Sequence, residues 1–183
     1  MSDGAATIEL PARVLGLLSD SHGDAEMTRK AARLLLEHGA ETLLHLGDVC
    51  AESVLDELAG LRAPDGTPVE CRVVFGNMDH DELSMSRYAE TVGVKVDHPV
   101  GRYTVVGKTA AAHHGHDPRH EPAAMRAGLD YFFHGHTHRK RDEQVGGTRF
   151  INPGALHRAT NYTVALLDCA SDELTFLDVP RGA

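Results

Sequence analysis

Apolar residues in the first half of this chain come in short runs that stop at small polar clusters. Residues Ala12 to Leu18, Thr42 to Leu46 and Val69 to Phe75 are mostly apolar, the pattern of strands buried on both faces, and they end at Ser19-Asp20, Gly47-Asp48 and Gly76-Asn77. After the first run, Ala31, Leu34, Leu35 and His38 recur at helical spacing, with Asp24 placed to N-cap the helix and Gly39 to stop it. Glu52 to Leu61 reads as a second helix with Val54, Leu55 and Leu58 inward, and a turn-rich stretch from Ala63 to Pro68 leads into the third strand. These alternations predict βαβ units whose polar residues gather at strand C-terminal ends, where α/β folds place their sites.

The texture then changes. A helix over Leu83 to Ala89 is followed by short strands at Val92 to Val96, Arg102 to Val106 and, across a Gly107 turn, Lys108 to Ala112. One more βα-like unit pairs a helix from Glu121 to Ala127 with a strand from Tyr131 to Phe133. The remainder reads as antiparallel: Lys140 to Val145 and Thr148 to Ile151 across Gly146-Gly147, then Tyr162 to Asp168 and Leu174 to Val179. Two sheets face to face use all of these elements, so the prediction is an α/β fold: a four-layer αββα sandwich of two mixed β-sheets flanked by helices.

At 183 residues the chain suits one domain, residues 1–183, with a full core. Its formal net charge of -9 leaves no basic stripe to neutralise a run of phosphates, which excludes a general nucleic-acid binder. A small phosphorylated substrate held through metal stays compatible, because bound cations would dominate the local charge. Met1 to Pro11 carries acids and no basic leader, and no apolar run reaches the ~18–20 residues of a membrane helix, so a cytoplasmic protein without membrane contact is expected. Cys50, Cys71 and Cys169 form no CxxC pair and read as buried free thiols, Cys50 as a small hydrophobic filler.

The candidate chemistry lies in the polar clusters. Asp20 and His22 are two residues apart, so in an extended segment both point to one side and grip a single ion, and His136 and His138 repeat that spacing. Either triplet alone is commonplace in turns. Asp48 and Asn77, however, occupy equivalent strand ends, and the intervals from Asp20 to Asp48 and on to Asn77 are nearly equal, each one strand–helix unit. Together with His114-Gly115-His116 these blocks supply seven candidate ligands for divalent transition metals: Asp20, His22, Asp48, Asn77, His114, His136 and His138.

From Asp20 to Ala155 the chain resembles the calcineurin-like metallophosphoesterase superfamily, in particular its small bacterial and archaeal phosphodiesterase branch. Its pattern D-x-H, G-D, G-N-x-[DHE], H-G-H, G-H-x-H and N-P-G is met by Asp20/His22, Gly47/Asp48, Gly76/Asn77/Asp79, His114/Gly115/His116, Gly135/His136/His138 and Asn152/Pro153/Gly154. The resemblance implies a single metallophosphoesterase domain with two divalent ions, manganese first among them and iron, nickel, cobalt or zinc as alternatives. By it, Asp20, His22 and His138 hold one ion, Asn77, His114 and His136 the other, and the two oxygens of Asp48 bridge them; Asp48, Asn77 and His114 are the catalytic residues of the set. A bridging hydroxide would attack phosphorus in line. The implied partner is a small phosphoester, and association into a homodimer or higher homo-oligomer is expected.

Two departures from the pattern matter. Ala155 stands where the family usually has Ser, and Met78 stands where members active on phosphomonoesters often carry a His that protonates the departing alkoxide. Met78 therefore favours a phosphodiesterase over a nucleotide or phosphoprotein monoesterase, with His80, His113 or His116 as substitute donors. A protein-binding scaffold of the same fold, as in retromer-type subunits, is disfavoured because all seven ligand positions are filled. Gly47, Gly76 and Gly135 are read as leaving room beside the ions, and Asn152-Pro153-Gly154 as a loop packed under the site that positions His136. His113 is expected to face away from His114. His98, His120 and His157 have no assigned chemistry, His157 being an outside candidate for substrate contact.

Overall fold

The computed structural model describes residues 6–181. In chain order the elements are β1 (Ile8–Glu9), β2 (Val14–Leu18), α1 (Ala25–Glu37), β3 (Thr42–His45), α2 (Glu52–Leu58), β4 (Glu70–Val73), α3 (Glu82–Val92), β5 (Lys95–Val96), β6 (Gly101–Val105), β7 (Lys108–Ala112), α4 (His120–Ala127), β8 (Tyr131–Phe133), β9 (Lys140–Val145), β10 (Thr148–Pro153), β11 (Thr163–Asp168) and β12 (Glu173–Asp178). Two six-stranded mixed sheets result, ordered β1-β6-β7-β8-β10-β9 and β12-β11-β2-β3-β4-β5. Strands β2, β3 and β4 run parallel in the second sheet, and β7, β8 and β10 run parallel in the first.

Strand alternation sorts the side chains into layers. Leu15, Leu17 and Leu44 of one sheet meet Ala110, Ala112, Tyr131, Phe133 and Ile151 of the other in an inter-sheet core. Their neighbours Leu18, Leu43 and Val73 face outward against Leu35, Val54, Leu55 and Ala89 of α1, α2 and α3. On the opposite outer face, Ala111, Phe132 and Phe150 pack on Ala124 of α4. The predicted four-layer αββα arrangement is therefore the observed one. Each fully buried Leu or Phe here contributes about 1.5–3 kcal/mol of apolar burial.

Local signals account for the helix ends. The Asp24 side chain accepts from the Met27 N–H at 2.9 Å, and the chain leaves α1 through Gly39 at φ +93°. His38, placed on the buried stripe by its spacing, is exposed and donates from Nδ1 to the Leu34 carbonyl at 2.8 Å. Val92 to Val96 is not one strand: Val92 closes α3, Gly93 turns the chain at φ +86°, and only Lys95–Val96 pairs with β4. The two-residue β1, parallel to β6, is too short to leave a sequence pattern. β10, read as wholly antiparallel, pairs antiparallel with β9 but parallel with β8. The reading of Met1 to Pro11 as lacking a leader rests partly on residues 1–5, which lie outside the described residues. Among the described residues no helix is long and apolar enough to cross a membrane.

Candidate metal centre

All five segments that bear candidate ligands leave the C-terminal ends of parallel strands, at one end of the sandwich. The β2 end carries Asp20 and His22, the β3 end Asp48, and the β4 end Asn77; β7 leads to His114, and β8 to His136 and His138. The backbone there is not extended, contrary to the argument from two-residue spacing. Asp20, His22, Asp48, His136 and His138 all lie in the left-handed region, with φ between 45° and 68°. Such a conformation costs a non-glycine residue roughly 1–2 kcal/mol, and it persists because neighbouring loops pin it. Asp20 N–H donates to the Gly47 carbonyl at 3.0 Å and His22 N–H to the Asp48 carbonyl at 2.9 Å, so the β2 and β3 loops stay laced together beyond the sheet.

Two donor groups result. In one, atoms of Asp20, His22 and His138 lie within 4.8 Å of one another; in the other, atoms of Asp20, Asp48 and His114 do. His138 Nε2 is 3.2 Å from Asp20 Oδ1 and 3.4 Å from His22 Nε2. Asp48 Oδ2 is 3.3 Å from His114 Nε2 and 3.5 Å from His22 Nε2. Ligand atoms bound about 2.0–2.2 Å from a common ion stand roughly 3.0–3.6 Å apart, so these separations fit shared coordination. Asp20 belongs to both groups, beyond the single site assigned to it from sequence. Asp48 presents one oxygen, not two, to both sides, because its Oδ1 accepts the Met78 N–H at 2.9 Å.

The fit of a cation is tested by which buried atoms lack partners. Asp20 Oδ1 and His114 Nε2 are both buried with no hydrogen bond, a state that costs about 1–3 kcal/mol per group when uncompensated. His114 Nδ1 donates to the Leu46 carbonyl at 2.8 Å, which leaves Nε2 with its lone pair facing Asp48 and Asp20. Divalent cations at the two donor groups would satisfy both orphans. Without one, burial pushes the Asp20 carboxyl up, against the pull of His114. Burial also raises Asp48, but His114 and the Met78 N–H outweigh it and bring that carboxyl down to about 2. For His114, burial is outweighed by Asp48 and Asp20 and the net shift is upward, whereas burial prevails at His22 and lowers it.

His136 stands outside these two groups, and Asn77 lies on the turn after β4. Both are exposed, the His136 ring lying 5.2 Å from that of His114, with the His136 N–H held by Asp20 Oδ2 at 3.1 Å. The glycines make room as expected: a Cβ on Gly76 would fall 2.1 Å from Asp48 Oδ1, and one on Gly47 2.6 Å from His114 Nδ1. Asn152 acts on the neighbours of His136, its Nδ2 donating to the Gly135 carbonyl at 2.7 Å and to Thr137 Oγ1 at 3.2 Å. Ala155 is fully buried on the same loop.

The other histidines divide cleanly. His113 is buried and stacks on His120 at 3.9 Å, its Nδ1 accepting the Gly115 N–H, so it braces the His-Gly-His turn. His116 and His80 are exposed on the rim, and His157 sits 4.9 Å from the His22 ring. His98 is satisfied by the Phe75 N–H and Glu82. Cys50 is exposed rather than buried, with Sγ 3.8 Å from His22 Nδ1. The protein around its sulfur, then Asp79 and Asp48, push that thiol up to about 12 and keep it protonated.

Of two supporting groups, His45 was not singled out in the sequence, and Asp79 matched the family pattern without a role of its own. His45 is buried and contacts Ser21 Oγ at 2.7 Å; its place directly before Leu46-Gly47-Asp48 was the available signal. Asp79 is buried and accepts three backbone N–H groups, from Cys50, Gly76 and Val49.

A family model for the calcineurin-like phosphoesterase superfamily domain matches residues 14–172. A phosphodiesterase of Methanocaldococcus jannaschii is 26% identical over 149 residues, covering 76% of this chain and 82% of that protein. Among solved structures, an archaeal phosphodiesterase matches with a TM-score of 0.79 at 23% identity, over 90% of this chain and 99% of its own. The E. coli phosphoesterase Yfce matches with a TM-score of 0.63 at 21% identity, over 91% of this chain and 100% of its own. With the family match spanning nearly all of both sheets and every loop that carries a candidate ligand, the chain belongs to the calcineurin-like phosphoesterase superfamily.

Proposed function

We propose that this chain is a phosphodiesterase that hydrolyses small diesters at a dinuclear divalent metal centre. In this reading Asp20, His22 and His138 hold one ion, Asn77, His114 and His136 the other, Asp48 faces both, and Asp20 Oδ1, 4.0 Å from His114 Nε2, also stabilises the second. The observation that carries it is Asp48 Oδ2, which stands between His22 Nε2 at 3.5 Å and His114 Nε2 at 3.3 Å, one from each set of ligands. Asn77 and His136, both exposed beside His114 and Asp48 on the neighbouring turns, would complete the ligands of the second ion. Bound ions would supply a water acidic enough to attack phosphorus near neutral pH, and charge to offset the transition state. Manganese is the expected metal, and residues 1–183 the expected single domain of a cytoplasmic enzyme.

The preference for diesters rests on Met78. It is 44% exposed at the mouth of the site, and it offers a thioether where a proton donor would assist an alkoxide. An aryl diester leaves without that proton; an alkyl monoester does not. The test is kcat/KM of metal-loaded protein on an aryl phosphodiester and an alkyl phosphomonoester. Faster turnover of the diester supports the reading, and faster turnover of the alkyl monoester refutes it.

A further inference from the structure

Beside His138 the surface opens into a cleft of about 330 Å³ lined by His138, Arg139, Lys140, Thr160, Asn161 and their neighbours. No carboxylate lines it, on a chain whose net charge is -9. The pairing of its cations is unusual for the same hairpin. Arg141 is paired with Glu121 and Glu143, and Arg149 with Asp142 and Asp172. Arg139 and Lys140 have no carboxylate partner among the described residues, and Lys140 Nζ instead rests 5.3 Å from the Phe176 ring centroid. Phe176 does not line the cleft, and an aromatic face leaves the cation un-neutralised, so Lys140 is free to swing its ammonium from the ring to an anion in the cleft.

The opposite rim is held just as firmly. Arg181 donates to the carbonyls of Ala159 and Thr160 and lies 3.9 Å over the Tyr162 ring, which ties down the loop that follows His157. That loop begins beside His22 and ends in the cleft, so cleft and metal centre share both His138 and this segment.

We propose that the cleft receives the second ester arm of the substrate, and that this arm carries an anionic group, a phosphate or carboxylate. The assignment rests on the diesterase reading above. A guanidinium and an ammonium without counter-charges provide charge-assisted hydrogen bonds, and the Thr160 hydroxyl and Asn161 amide supply neutral ones. The cleft offers two cations, the charge complement of one phosphate. A long polyanion would meet the acidic remainder of the chain, so the substrate class is a small diester with one further negative substituent.

Thymidine 3′,5′-bisphosphate and thymidine 5′-phosphate differ by a single phosphate, as do their 5′-(p-nitrophenyl) esters. Calorimetric titration of metal-loaded protein should give a Kd lower by about tenfold for the bisphosphate, the scale of one charge-assisted hydrogen bond. In an Arg139→Gln/Lys140→Gln variant the ratio of the two Kd values should fall to near one. Arg33→Gln, a charge change on the exposed face of α1, should leave it intact. Equal Kd values in the wild type, with the p-nitrophenyl esters hydrolysed, would overturn the cleft assignment alone. A binding preference without hydrolysis of either ester would uphold the anion cleft and overturn the diesterase reading.

Discussion

The Asp79 carboxylate accepts the Cys50 N–H at 2.6 Å, on the turn that carries Asp48. It also takes the N–H of Gly76 at 2.7 Å, on the turn that carries Asn77, so one buried side chain clamps two ligand loops. Asp79→Ala leaves these donors unpaired and should cost about 1–3 kcal/mol in denaturant unfolding. It should also weaken metal binding by roughly 10–100-fold, the effect of losing a group that orients ligands. Unchanged metal affinity in a destabilised variant would reduce Asp79 to a fold-stabilising residue.

Asp20 takes part in both donor groups, whereas His138 belongs to one and His114 to the other. His138→Ala and His114→Ala should therefore each empty one site selectively, and Asp20→Ala should depress both. Metal content after dialysis reads this directly. His113→Ala, which removes a stacked brace and no facing lone pair, should change occupancy far less than His114→Ala.

Met78→His places an imidazole where the chain has a thioether. If it reaches the leaving oxygen, alkyl monoester turnover should rise, up to the ~10²–10⁴ that general acid catalysis supplies. Aryl diester turnover should move little. A variant that gains nothing on alkyl monoesters would show that residue 78 does not set the ester preference.

Buried His45 is held neutral. Burial, then the charge of His114, lowers it to about 3 from an ordinary 6.5. Its Nδ1 accepts the Gly47 N–H at 3.3 Å, so a proton there would face another donor. Between these two values the unfolded chain binds the proton and the folded chain does not, so stability rises with pH and is lost as pH falls below 6.5. The contribution is at most about 1.4 kcal/mol per pH unit. In chelator, His45→Gln should show a shallower dependence of unfolding free energy on pH than the wild type; equal slopes would reject this assignment.

What was legible in the sequence was the set of strand ends. Nearly equal spacing from Asp20 to Asp48 to Asn77 follows from the repeat length of strand plus helix, and the continuous apolar runs foretold strands covered on both faces. The left-handed turns at Asp20 and His136 were not legible, since Asp and His, although enriched at positive φ, adopt it at only a small minority of their positions. Nor was the sharing of Asp20 between groups, which depends on how closely the two sheets approach. Val92 to Val96 misled because the apolar tail of a helix and a short strand look alike until Gly93 is seen to turn the chain.

Metal stoichiometry decides whether two ions sit on either side of Asp48. Chelator-stripped protein dialysed against manganese should bind two ions per chain and regain diester hydrolysis as both sites fill. Asp48→Asn should lose occupancy at both sites together. A wild-type protein fully active with one ion or none per chain would contradict the account.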